Sequence, residues 1–268
     1  MKTAIIIAGV CRYTDISHKS WNMLPEADWY LSTWNISQKP FSDIATSSKN
    51  EIDNIKYLFK EIFVSSYKEE YMDTNYSTFE RSFILLEKTL EYIKKLNYDR
   101  IIYFRPDLML YSLENYSIDD LLVNDNYVNV LDIHDPLIVN TYKQRQQVSD
   151  IFFVFSNKTF LKYVGSRNKI SNCNGDVHRT TYNFFVKNNI EIKILTNMKS
   201  CILRDNIYDN LNDLSWENTY KIFHEVFESN TESNKFGKEI QLPDDYPKDI
   251  ILLERSKAGG GILKIRNK

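Results

Sequence analysis

The chain has 268 residues, 43% of them hydrophobic and 26% charged, an ordinary globular balance with enough length to bury a developed core. Its 34 Lys and Arg nearly match its 36 Asp and Glu, which argues against a dedicated nucleic-acid binder, since such proteins carry a basic excess or stripe. Cys11, Cys173 and Cys201 are far apart and odd in number, so neither a zinc site nor a disulfide framework is expected, and a reducing compartment is the simpler reading.

The first apolar run, Ala4 to Ala8, closes on Gly9 and is followed at once by Arg12 and Asp15. It is too short for a secretory signal with its cleavage site and reads as a strand buried on both faces of a mostly parallel sheet. No stretch approaches the roughly 20 apolar residues of a membrane span, so a soluble protein without a transmembrane segment is expected. Ile16 to Leu24 suits a short helix stopped by Pro25, and Asp28 to Thr33 a second strand. Glu51 to Phe59 reads as helix and Ile62 to Ser66 as a third strand.

Ser77 to Leu96 carries the clearest helical pattern. Phe79, Phe83, Leu86, Leu90 and Ile93 recur at spacings of four and three and form one apolar stripe, which is core packing and not a ligand box. Strands are then expected over Arg100 to Phe104, Tyr127 to Leu131 and Asp150 to Phe155. Helices follow over Asn157 to Val164 and Val177 to Lys187, and a strand over Glu191 to Leu195. Alternation of strand and helix through the first 200 residues is the signature of an α/β fold with a mostly parallel, Rossmann-like sheet flanked by helices. Beyond residue 200 the pattern weakens: a helix over Leu214 to Phe227, a polar loop over Glu228 to Lys238, and a glycine triplet before a short apolar run. We therefore expect a core over residues 1–200 and a C-terminal extension over 201–268, packed on the core where it can cover a second substrate.

Five segments can carry chemistry. Ala8 to Arg12 (AGVCR) follows the first strand; Gly9 permits close approach of backbone to a ligand, and Arg12 suits a diphosphate. It is neither a dinucleotide fingerprint nor a phosphate loop of the ATPase kind, and its bland reading is a turn with a surface Arg. Arg105 to Leu108 (RPDL) follows a buried strand, where Asp107 can hold a divalent cation and Arg105 can neutralise phosphate. Its bland reading is an Arg–Asp pair capping the strand. Ser149 and Asp150 lead into an apolar strand, where a carboxylate is costly unless paired or used. Asp132 to Pro136 (DIHDP) is better read as a turn than as a ligand set. In the Asn174 to Phe185 segment, Asp176 suits a helix N-cap and His178 falls in the first helical turn as a second basic group.

In this order the segments resemble bacterial and viral polysaccharide glycosyltransferases of GT-A type, near the WavE-like lipopolysaccharide-synthesis group. Those proteins open with a strand ending Ser-Gly-x-x-Arg, here Ala8 to Arg12, and a second strand ending in Ser-Thr-Trp, here Ser32, Thr33 and Trp34. A long helix, a strand ending Arg-x-Asp-Leu and a Ser-Asp-aromatic strand follow, here Arg105 to Leu108 and Ser149 to Phe153. The resemblance spans about residues 3–196. It implies a nucleotide-sugar donor held by Ala8, Gly9, Arg12, Thr33, Trp34, Arg105 and Asp107, and a glycan or glycoconjugate acceptor. It also implies a cytoplasmic site of action, in a bacterium or a virus-infected cell. Asp107 becomes the ligand of Mn²⁺ or Mg²⁺, although Arg105 occupies the first acidic position of the Asp-x-Asp metal motif. The expected chemistry is transfer of a hexosyl-like group, with Arg105 stabilising the leaving group and Asp150, then His178, as the base. A nucleotidyltransferase on a similar scaffold and a non-catalytic carbohydrate-binding protein are the alternatives.

Overall fold

The structure is a computed structural model; described are residues 1–38, 45–67, 78–112, 123–131, 148, 151–166, 177–195, 198–202, 252–255 and 261–264. The strands are β1 (Thr3–Ala8), β2 (Asp28–Trp34), β3 (Ile36–Gln38), β4 (Ala45–Ser47), β5 (Glu61–Ser65), β6 (Arg100–Phe104) and β7 (Leu108–Ser112). They continue with β8 (Tyr127–Val130), β9 (Phe152–Ser156), β10 (Glu191–Ile194), β11 (Met198–Ile202), β12 (Leu252–Arg255) and β13 (Gly261–Lys264). The helices are α1 (Thr14–Ser17), extended by a 3-10 segment over His18–Met23, then α2 (Lys49–Ile55), α3 (Thr78–Ile93), α4 (Asn157–Val164) and α5 (Val177–Lys187).

Seven strands form one sheet in the order β10-β8-β9-β6-β1-β2-β5. Only β9 runs against its neighbours; every other pairing in that sheet is parallel. The expected α/β architecture, a mostly parallel sheet flanked by helices, is what the chain adopts. Two-stranded pairs β3–β4, β7–β11 and β12–β13 stand apart from it.

Central strands carry unbroken apolar runs, Ala4 to Ala8 in β1, Ile101 to Phe104 in β6 and Phe152 to Phe155 in β9, because both faces are covered. On one face Ala4, Ile6, Tyr103, Phe153 and Phe155 pack against Phe83, Leu86 and Ile93 of α3, Phe160 and Tyr163 of α4, and Phe185 of α5. On the other, Ile5, Ile7, Ile102, Phe104 and Phe152 meet Trp21, Ile55, Leu108, Leu110 and Met198. Ile5, Ile6 and Ile7 are each fully buried, contributing about 1.5–3 kcal/mol apiece relative to exposure, as an upper bound.

Chain order across the sheet creates one switch. The chain builds β1, β2 and β5 outward in one direction, then returns to place β6 on the opposite side of β1. The segments leaving β1 and β6 turn to the same face, where Trp21 packs with Leu108 and Leu110, and they meet at the strands' carboxyl ends, the end at which open α/β sheets bind ligands. β9 enters the sheet at this same end, since Phe104 at the close of β6 pairs with Phe152.

The periodic elements fall within a few residues of expectation, with α4 and α5 at the expected limits. The strand expected from Asp150 begins at Phe152. β7 and β11 were not expected; Leu108 to Ser112 follows β6 after a three-residue break and pairs antiparallel with Met198 to Ile202. The helix expected over Leu214 to Phe227 and the loop over Glu228 to Lys238 lie outside the described residues, as does most of the extension over 201–268.

Candidate functional site

At the carboxyl ends of β1 and β6 two short turns touch. After β1, Gly9 adopts φ of 147°, and a Cβ added to it would lie 3.0 Å from Pro106 Cδ, so the position takes a residue without a side chain. The Gly9 amide donates to Ser32 O at 3.1 Å, and the Cys11 amide to Thr33 Oγ1 at 3.2 Å. Tyr13 then adopts φ of 56° while buried, a backbone state that is costly for a bulky residue and persists only where packing enforces it. The chain thereby turns from β1 into α1 and leaves Arg12 against Asp107 of the turn after β6.

After β6, Arg105 to Leu108 forms a turn closed by the Leu108 amide donating to Arg105 O at 3.2 Å. Pro106 sits at the second position, where its fixed φ suits the turn. The two turns are laced together. Ser17 Oγ donates to Pro106 O at 2.6 Å, Trp21 Nε1 donates to Leu108 O at 2.9 Å, and the Leu110 amide donates to Ser20 Oγ at 3.0 Å.

Asp107 is the centre of this arrangement. Its side chain is 1% exposed, and both neighbouring guanidiniums converge on it. Arg12 donates to Oδ2 through Nε at 2.9 Å and Nη2 at 2.6 Å. Arg105 donates through Nε to Oδ1 at 2.9 Å and through Nη2 to Oδ2 at 2.8 Å. Burial alone would push the carboxyl's pKa upward, but Arg105 and Arg12 outweigh it and hold the group well below the usual carboxylate range. One buried carboxylate thus joins two guanidiniums from different turns.

Other expected site residues are placed as follows. Ala8, Thr33 and Trp34 are buried. The Thr33 hydroxyl is engaged with the Cys11 amide, and the Trp34 ring packs edge-on against Tyr67. A contribution of this pair to a ligand would run through support of the Gly9–Arg12 turn. His178 opens α5, and its Nδ1 lies 3.1 Å from Val148 O while the Val148 amide donates to His178 O. A carbonyl only accepts, so Nδ1 carries the proton in this bond and the lone pair of the neutral ring falls on Nε2. Val148 is two residues before Asp150 in the chain; Asp150 itself, like Asp132, His134, Asp135 and Asp176, lies outside the described residues.

Glu51 is a residue that the sequence did not single out. Its Oε2 accepts from the Thr14 amide at 3.1 Å and the Thr14 hydroxyl at 2.6 Å, which ties α2 to the turn after β1. No local motif marks it, because the tie joins segments 37 residues apart. Cys11 is fully buried, and burial pushes its thiol up to about 12, against the opposing Thr33 hydrogen bond.

Asp107 meets cationic partners on both oxygens. Its carboxylate faces two guanidiniums, and among the described residues no group of three or more His, Cys, Asp or Glu is placed to hold a metal ion. Also among the described residues, no helix is long and apolar enough to cross a membrane.

No protein family and no curated protein matches the chain. Among solved structures, the crystal structure of an active-site mutant of LgtC aligns over 91% of this chain and 98% of that chain, with 11% identity and a TM-score of 0.47. What the site can do therefore follows from its own geometry.

Proposed function

We propose that the paired turns after β1 and β6 bind the diphosphate of a nucleotide sugar and that the chain is a glycosyltransferase of GT-A type acting in glycan or polysaccharide synthesis. The observation that carries the reading is the convergence of Arg12 and Arg105 at the switch point of the sheet, where ligands of open α/β sheets bind. Guanidinium forks match phosphate oxygens in pairs and remain charged at any physiological pH.

In the proposed reaction an acceptor hydroxyl oxygen bonds to the anomeric carbon of the donor as the bond from that carbon to the diphosphate oxygen breaks. The electron pair leaves with the nucleoside diphosphate, and Arg12 and Arg105 offset the charge that develops there. If configuration inverts, the acceptor proton passes to a base. Asp150 is the first candidate and His178, with its lone pair on Nε2, the second. Residues 201–268 are proposed to lie over the acceptor side.

Incubation with nucleotide sugars and glycan acceptors, followed by product analysis, tests the reading. A glycosylated acceptor plus nucleoside diphosphate is expected. Pyrophosphate released from a nucleoside triphosphate would identify a nucleotidyltransferase instead, and glycan binding without nucleotide binding would identify a carbohydrate-binding protein. Asp150→Asn is expected to bind donor normally and to transfer roughly 100-fold more slowly or worse; normal transfer would remove Asp150 from the mechanism.

A further inference from the structure

We infer that Asp107 is the shared anchor of Arg12 and Arg105, and that these two guanidiniums hold the donor diphosphate without a divalent cation. The inference rests on the diphosphate-binding reading above and assigns how that site recognises its ligand.

The carboxylate's capacity decides the point. Asp107 Oδ2 already accepts from Arg12 Nε, Arg12 Nη2 and Arg105 Nη2, and Oδ1 accepts from Arg105 Nε. A carboxylate offers about two lone-pair sites on each oxygen; three N–H groups crowd Oδ2 and one of the two sites on Oδ1 is taken. A cation placed on either oxygen would also sit against two positive charges. Mg²⁺ keeps several of its waters when bound to protein, and a side chain that is 1% exposed offers no surface for a hydrated ion. The other described acid whose charge reaches Cys11 is Glu51, and it is tied to Thr14.

The same geometry explains what Asp107 contributes. Each Arg meets it through Nε and Nη2, the same edge of the fork. One buried carboxylate thus fixes the plane of two guanidiniums from segments 93 residues apart in the chain, one following β1 and the other following β6. Lone Arg side chains lose rotamer freedom when they close on an anion; side chains already held lose less, and their charge faces the ligand without reorganisation. Asp107 is accordingly a positioning residue, and its removal alone also raises the net positive charge of the site, so a change in affinity on Asp107→Asn does not by itself report positioning.

Calorimetric titration of the full chain with UDP, GDP, CDP and ADP, in EDTA and in Mn²⁺, is the direct test. At least one nucleoside diphosphate is expected to bind in EDTA with an affinity within about two-fold of that in Mn²⁺, whereas a shared metal would shift it far more. Arg12→Lys and Arg105→Lys keep the charge and lose the fork, and each is expected to weaken binding roughly 10-fold. In an Asp107→Asn background the same two Lys substitutions are expected to cost much less, because the forks are no longer held. Binding that appears only with Mn²⁺ overturns the inference and leaves the glycosyltransferase reading standing, and this arm needs no variant. Equal costs of the Lys substitutions in both backgrounds overturn the anchoring role. No binding of any nucleoside diphosphate with or without Mn²⁺ overturns the functional reading and the inference with it.

Discussion

Gly9 and Pro106 pack together where the turns after β1 and β6 meet: a Cβ on Gly9 would stand 3.0 Å from Pro106 Cδ, and Gly9 holds φ of 147°. The two turns that carry Arg12 and Arg105 are therefore in contact through Gly9 and the Pro106 ring. Gly9→Ala meets both a steric and a conformational penalty, since neither the proline ring nor the backbone can yield cheaply. We expect a loss of about 1–3 kcal/mol of stability, seen as a lowered urea midpoint. Nucleoside diphosphate affinity should fall along with it. An unchanged midpoint would mean that the turns tolerate separation.

Arg12→Ala is expected to weaken nucleoside diphosphate binding by roughly 10-fold or more, from loss of a charge-assisted contact of about 1.5–3 kcal/mol. The variant should lose stability too. Its partner Asp107 is fully buried, so removing one guanidinium leaves that carboxylate with Arg105 as its remaining described cation, and breaking a buried pair destabilises. Paired measurement of urea midpoint and binding distinguishes a site residue, which changes both, from a surface Arg, which changes neither.

Asp107 makes stability depend on pH in a defined direction. Burial opposes its ionisation, but Arg105 and Arg12 hold its folded-state carboxyl well below the ordinary value of about 3.9. The folded state thus keeps the group ionised where the unfolded chain protonates it. Its contribution is fully present above about pH 5 and declines as pH falls through 4 and below. Asp28, held down by the Tyr98 hydroxyl and Lys60, and Asp125, held down by Ser156 and Lys158, act in the same direction. Asp107→Asn should therefore be less stable than the wild type at pH 7, with the gap narrowing at pH 3. A constant gap across urea titrations at pH 7, 5, 4 and 3 would contradict this.

Cys11 should be inert in the folded protein. Its thiol is fully buried and pushed up to about 12, and the thiolate is the reactive species. With Cys173→Ser and Cys201→Ser in place, alkylation at pH 8 should be negligible without denaturant and complete in concentrated urea. Rapid labelling of the native protein would place Cys11 at an open surface.

Much of the fold was legible from local pattern. The Ile5-Ile6-Ile7 run can be accommodated only in a strand covered on both faces, and the stripe through Phe83, Leu86, Leu90 and Ile93 only on a helix packed along one side. The AGVCR and RPDL turns were legible as loops following strands, because Gly9 and Pro106 restrict the backbone through their own covalent structure. Strand β7 was not legible. Leu108 to Ser112 follows β6 almost without interruption, and only its antiparallel partner 90 residues away, which pairs Leu110 with Ser200, makes it a separate strand.

By itself, then, the sequence determined the alternation of strands and helices and the residue types at two turns, since those depend on periodicity and on properties of neighbouring residues. Tertiary structure alone decided that the turns meet. Arg12 and Asp107 are 95 residues apart in the chain, and nothing in either segment encodes their distance. The strand order, with β6 returning beside β1, brings them to the same end of the sheet. That placement also changed the chemistry expected of Asp107. Read in its own segment it was an acid available to a cation; with Arg12 delivered from β1, both of its oxygens accept from guanidinium N–H groups, because an unpaired buried carboxylate costs more than a paired one.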